Sequence, residues 1–128
     1  MRRLRFFVII IILLIFASAC KDTTIPRIVK TFPLNGSQDV DPSITELYVV
    51  FNEEMMAGSF SWAKEDYTNF PAMTGQPYFD KTMTKNILPV NLEPGTEYVI
   101  WLNSPKFQNF KDTSGNVLVP FKFTFKTK

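Results

Sequence analysis

Leu92-Glu93-Pro94-Gly95-Thr96-Glu97-Tyr98-Val99-Ile100-Trp101-Leu102 is the stretch from which the fold is read. Pro94 presets one backbone dihedral and Gly95 tolerates positive φ, so the pair makes a tight turn. Beyond it the chain alternates, with Tyr98, Ile100 and Leu102 on one face and Val99 and Trp101 on the other. That period of two marks a strand. Tyr98 opens the strand directly after the turn, where a β-sandwich places a tyrosine corner, its ring buried and its hydroxyl bonded to backbone a few residues upstream. Pro94, Gly95 and Tyr98 are therefore read as a structural unit.

The same alternation extends outward in both directions. Phe121, Phe123 and Phe125 oppose Lys122, Thr124 and Lys126 in a closing strand, entered from the polar turn Asp112-Thr113-Ser114-Gly115-Asn116. Leu47, Val49 and Phe51 share a face within residues 44–52, and Leu88, Val90 and Leu92 do so within 87–92. Pro89 has no N–H to give a ladder, which places its strand at an edge or at a bulge. Phe60 and Trp62, interleaved with Ser59, Ser61 and Ala63, begin another strand and are assigned to the core. No apolar period of 3.6 runs through these segments; Glu53 to Ala57 has room for one helical turn. About seven short strands with no room for crossover helices predict an all-β, antiparallel β-sandwich over residues 28–128.

The N-terminus follows a different logic. Arg2, Arg3 and Arg5 precede an apolar run from Phe6 to Phe16, and Ala17-Ser18-Ala19 lead to Cys20. A basic start, a short apolar stretch and small residues make a secretory signal over residues 1–19. The run is well short of the roughly 20 residues that a spanning helix needs. Cys20 is the single cysteine of the 128 residues, so it has no internal disulfide partner. Its setting resembles the lipobox of bacterial lipoproteins, with Ala17 where that pattern usually has Leu. The resemblance implies cleavage before Cys20, acylation of its sulfur, and a membrane anchor on residues 20–27, a short polar tether. Lys21-Asp22 resembles a truncated form of the tag that sends lipoproteins of the Bacteroidota to the outer face of the outer membrane.

Along the mature chain the sequence resembles the bacterial Ig-like domains first recognised in surface-layer proteins. The residues that carry this are Pro33-Leu34-Asn35-Gly36 with Asp39-Val40-Asp41-Pro42, then Val50-Phe51-Asn52-Glu53-Glu54-Met55. They continue with Leu92 to Tyr98, Asp112 to Asn116 and Phe121 to Phe125, in that order. The similarity runs from about Pro26 to Lys126. It implies an Ig-like, fibronectin-III-like sandwich used outside the cytoplasm for spacing, adhesion or interaction, and it supplies no catalytic residues. Ser59 to Asp80 matches none of the family's motifs.

Composition narrows the function. The formal net charge of +2 comes from 14 basic and 12 acidic residues. Once the three signal arginines are removed, acids outnumber bases by one and are scattered, so no footprint for nucleic acid exists. The absence of histidine removes the commonest general base and transition-metal ligand. A Ser–His–Asp triad is therefore excluded. Glu53, Glu54, Glu65 and Asp66 would supply carboxylate pairs for glycoside hydrolysis, but adjacent acids in such a chain read as a solvated face. Asp39, Asp41, Asp112 and Asn116 lie in turns and are weighed as calcium ligands; the blander reading is turn capping. No enzyme, cofactor or metal is expected.

The functional lead is the aromatic segment, where Tyr67, Phe70, Tyr78 and Phe79 stand in an irregular stretch and are the expected binding patch. Trp101, Phe107 and Phe110 would extend it; packing of the whole segment as a satellite core is the alternative. Exposed aromatics anchor protein partners or stack on sugars. Two partners follow: an envelope protein, or a glycan taken up beside a polysaccharide-import system. A compact apolar patch rimmed by Lys106 and Lys111 would favour the protein, and an aromatic row on a flat sheet face the glycan.

Overall fold

A computed structural model describes residues 22–128. The expected signal, residues 1–19, and the expected lipidation site Cys20 lie outside that range. Among the described residues nine strands form: β1 (Ile28–Phe32), β2 (Ser37–Val40), β3 (Glu46–Phe51), β4 (Trp62–Ala63), β5 (Ala72–Met73), β6 (Tyr78–Phe79), β7 (Lys85–Asn91), β8 (Glu97–Leu102) and β9 (Phe121–Thr127). The number exceeds the seven or so expected because residues 60–79, which lack a clean period, make three strands of two residues each.

The first sheet has the order β1-β3-β7-β5, with β6 also paired to β7; the second has the order β2-β9-β8-β4. The two face each other as a sandwich. It is not wholly antiparallel, because β2 runs parallel to β9. The chain reaches that position by changing sheets without reversing. After β1 it crosses over Leu34 to Gly36, where Gly36 takes φ +86°. There the Gly36 N–H donates to Thr124 O at 2.7 Å, and the Thr124 N–H to Asn35 Oδ1 at 2.9 Å. These bonds stitch the crossing onto β9.

The inward faces are those the alternation marks. Leu47, Val49, Phe51, Leu88, Val90, Tyr98, Ile100, Leu102, Phe123 and Phe125 are all buried. Each such side chain contributes about 1.5–3 kcal/mol by leaving water. Pro89 departs from expectation, since β7 is an interior strand with β3 on one side and β5 and β6 on the other. The Val90 N–H donates to Thr45 O on the β3 side, so the nitrogen of Pro89 faces the opposite way. On that side β6 pairs with Asn86 and Ile87 while β5 pairs with Val90 and Asn91. Pro89 lies at the end of the β5 pairing, where its carbonyl accepts from the Thr74 N–H at 3.1 Å and the ring nitrogen returns no bond.

Candidate functional site

The two sheets end differently. On one side both close with the β1–β2 crossing; on the other they end in the two-residue strands β4 and β5. The β4 ladder fixes what its edge presents. Trp62 lies opposite Leu102 and Ala63 opposite Trp101, and the Asn103 N–H donates to Ser61 O at 3.1 Å. Antiparallel pairs alternate between bonded and non-bonded, so Ser61 and Ala63 turn their main-chain groups to β8. The N–H and C=O of Trp62 therefore point away, toward the open edge.

Along this edge runs a groove of about 370 Å³. Residues 60–64 line it without interruption, joined by Met73, Gln76 and Pro77 from the first sheet's side and by Phe107 and Asn109 from the loop after β8. Two buried polar side chains hold its parts. Asn86, fully buried on β7, accepts a hydrogen bond from Trp62 Nε1 at 2.7 Å, tying the indole across the sandwich. Asn103, also fully buried and at φ 62°, gathers the 104–110 loop. Its Nδ2 donates to Phe110 O at 2.9 Å and Leu118 O at 3.0 Å, and its Oδ1 accepts from the Phe110 N–H at 2.9 Å. The Asn109 N–H donates to Ser61 Oγ at 3.1 Å, and the Ser59 hydroxyl donates to Asn109 O. The loop is thereby pinned against β4, and its tip leaves Phe107 53% exposed beside the groove. Met73 is 44% exposed.

The four residues expected to form one patch are divided. Phe79 points inward, with ring centroids 6.5 Å from Phe51, 6.4 Å from Phe60 and 6.4 Å from Phe110. Phe70 packs partly buried on the core. Tyr78 is 48% exposed on the outer face of the first sheet, and Tyr67 is fully exposed at φ 65° in the loop after β4. Of the second cluster, Phe110 is wholly buried, Trp101 half-buried and Phe107 exposed. Trp62 and Met73 were not expected at a site. Trp62 followed a period of two and read as core, and the two-residue β5 left Met73 without a pattern.

A row of three aromatic rings interrupted by Ile87 crosses the first sheet. Phe32 pairs with Tyr48, Tyr48 with Ile87, and Ile87 with Tyr78. Tyr48, its interior ring, is occupied: Phe32 stacks on it at 5.1 Å and 15°, and Lys85 Nζ sits 3.9 Å from its centroid. The Tyr48 ring a sugar would need at the middle of the row is thereby taken up by neighbours.

A third feature involves acids. The carboxyl groups of Asp22, Glu53 and Asp112 each place an oxygen within 4.8 Å of the others. Burial, then the bond to Asp112 and the charges of Asp112 and Asp22, push the Glu53 carboxyl up to about 7. Burial also raises Asp112, but bonds from the Asn116 side chain and backbone, from Glu53 and from the Ser114 N–H outweigh it and bring it below its usual range. Below neutral pH Glu53 is thus protonated beside an Asp112 that is ionised, and its Oε1 is buried without a hydrogen-bond partner. Asn116 continues the chain, donating from Nδ2 to Asp112 Oδ2 and to Asp22 O, both at 2.9 Å. Of the acids weighed as calcium ligands, Asp41 is not brought to Asp112 and Asn116: its Oδ1 accepts from the Ser43 N–H in its own turn.

A model of the family described as bacterial Ig-like domain matches residues 22–127. No curated protein matches the chain. Among solved structures, nine chains match. One is the crystal structure of the S-layer protein rSbsC(31-844), with a TM-score of 0.51 and 13% identity. The similarity covers 82% of this chain and 14% of that one, and it speaks to the fold alone. The chain belongs to the bacterial Ig-like domain family.

Proposed function

We propose that this bacterial Ig-like domain is a non-enzymatic interaction module of the cell envelope that recognises a protein through the groove along β4. Lipid on Cys20 holds it to the outer membrane, with the domain displayed beyond the short tether. The observation that carries the reading is the placement of exposed Phe107 and Met73 beside half-buried Trp62, at a strand edge with no pairing strand among the described residues. Aromatic and methionine side chains are enriched in protein interfaces, and Trp is a common hot-spot residue. Lys64 lines the groove, and Lys106 adjoins Phe107 just beyond it.

A second reading, glycan binding beside a polysaccharide-uptake system, draws support from the aromatic row ending in exposed Tyr78 and from Tyr67. It is the weaker one, because the Tyr48 faces are taken and Phe70 is packed on the core.

The test is crosslinking in cells followed by capture of the chain and mass spectrometry, with Cys20→Ala as background. One envelope protein enriched by the unaltered chain, and lost from a Met73→Glu, Phe107→Ser double variant, is the expected result. Enrichment that survives the double variant would sink the groove, and failure to enrich any protein would move the weight to glycan. Cys20→Ala should also leave the membrane fraction; continued pelleting with membranes would overturn the lipid anchor.

A further inference from the structure

We infer that the partner docks on this groove as an extended segment that adds a strand to the second sheet beside β4; the inference rests on the protein-recognition reading above. The main-chain groups of Trp62 face outward, and no main-chain hydrogen bond reaches them from that side among the described residues. The rest of this flank is already closed. Past Ala63 the chain leaves the sheet, and Asn69 returns to take its place. Asn69 O accepts from the Val99 N–H at 3.0 Å, and Asn69 Nδ2 donates to Glu97 O at 3.1 Å. The open length is therefore the stretch of β4 and its approach, and those same residues, 60–64, line the groove continuously. β4 itself is two residues long, so a partner strand takes its main-chain bonds at Trp62 and seats its flanks along residues 60–64 of the groove.

A strand laid here satisfies the Trp62 N–H and C=O, which a packed helix cannot do because its own main-chain groups are already bonded. Alternate side chains of such a strand face opposite ways. One set would enter the apolar space among Trp62, Met73 and Phe107. Lys64 is the charged residue among the groove's lining, so the matching segment carries a carboxylate toward that end.

The experiment is selection from a displayed library of random linear 12-residue peptides against the purified full chain. Enriched peptides are then resynthesised with N-methyl groups on alternating amides, in two complementary sets. The expected peptides alternate apolar residues with an acidic one, and they bind at least tenfold more weakly to Met73→Glu and to Phe107→Ser. One methylated set abolishes binding and the other leaves it intact, because only one set of amides faces β4. Groove-binding peptides that tolerate both sets, or a selection that yields no peptide, overturn strand addition; the protein captured in cells would still stand. Peptides indifferent to both substitutions bind elsewhere and overturn the groove itself. Circular dichroism melts of the two variants, both altered at exposed side chains, verify that they fold.

Discussion

Stability should fall as pH rises from 4.5 to 8, and Glu53→Gln should remove the fall. A carboxyl whose pKa is raised by folding, here from 4.5 to about 7, holds its proton more tightly when folded. Between those values the folded chain carries one proton more than the unfolded chain, so stability decreases with pH. The contribution is whole below 4.5 and lost once pH passes about 7. At 1.36 kcal/mol per pKa unit the full loss would be about 3 kcal/mol. Glu53 is half-buried and water screens part of the pair, so about 1–2 kcal/mol is the expected size. Asp112, lowered on folding, acts in the opposite sense and below pH 4, where its protonation destabilises the fold. Together they set the maximum between about pH 4 and 5. Gln at position 53 keeps a donor for Asp112 without a titrating proton. Urea unfolding at pH 5, 6, 7 and 8 should show the midpoint of the natural chain dropping by on the order of 1 M at a typical slope, with the variant's staying level. Parallel pH profiles for the two proteins would refute the raised Glu53 carboxyl.

Asn103→Gly strips three buried hydrogen bonds while keeping the freedom to hold φ 62°, and it should cost about 3 kcal/mol in urea unfolding. A loss below 1 kcal/mol would mean that the 104–110 loop is held by something else. Tyr98→Phe keeps the buried ring but removes the acceptor of the Glu93 N–H, a bond of 2.7 Å. It should cost about 1 kcal/mol, a fall in melting temperature of about 4 °C by calorimetry. An unchanged melting temperature would refute that bond's contribution. Gly95→Ala places a side chain at φ +59° with nothing within 4 Å of the new carbon, so backbone strain alone should lower stability, by about 1 kcal/mol.

The long strands were legible because burial there follows the local period. Leu47, Val49 and Phe51, or Tyr98, Ile100 and Leu102, reach the core simply by alternating. The turn before Tyr98 could be read for a similar reason, since proline and glycine dictate dihedrals in place. Three features escaped because they depend on distant partners. The parallel pairing of β2 with β9 needs the crossing at Gly36 to be pinned by Thr124, 88 positions away along the chain. The interior place of Pro89 needs a neighbour that pairs one-sidedly, the Thr74 N–H giving to Pro89 O at the end of β5. Asn86 and Asn103, polar residues in the core, are accounted for only by Trp62 and by the loop they bind.

The unreadable segment and the open edge have one physical cause. A strand with a clean period of two and several residues of length would cover the sheet's flank and bond along it. Residues 60–79 instead give three two-residue strands, whose side chains divide between core and solvent one at a time: Phe79 inward, Tyr78 outward, Ser61 buried, Trp62 half-buried. Such a flank leaves main-chain groups unpaired, and natural sheets protect exposed edges by keeping them short or charged. Here the edge is short and Lys64 stands at its end, which limits indiscriminate pairing with other chains. Trp62 and Met73, with Phe107 beside them, make the same short edge selective, because a strand must present fitting side chains as well as a backbone. On this view the irregularity that hid the site from periodicity is the property that keeps it available to a partner.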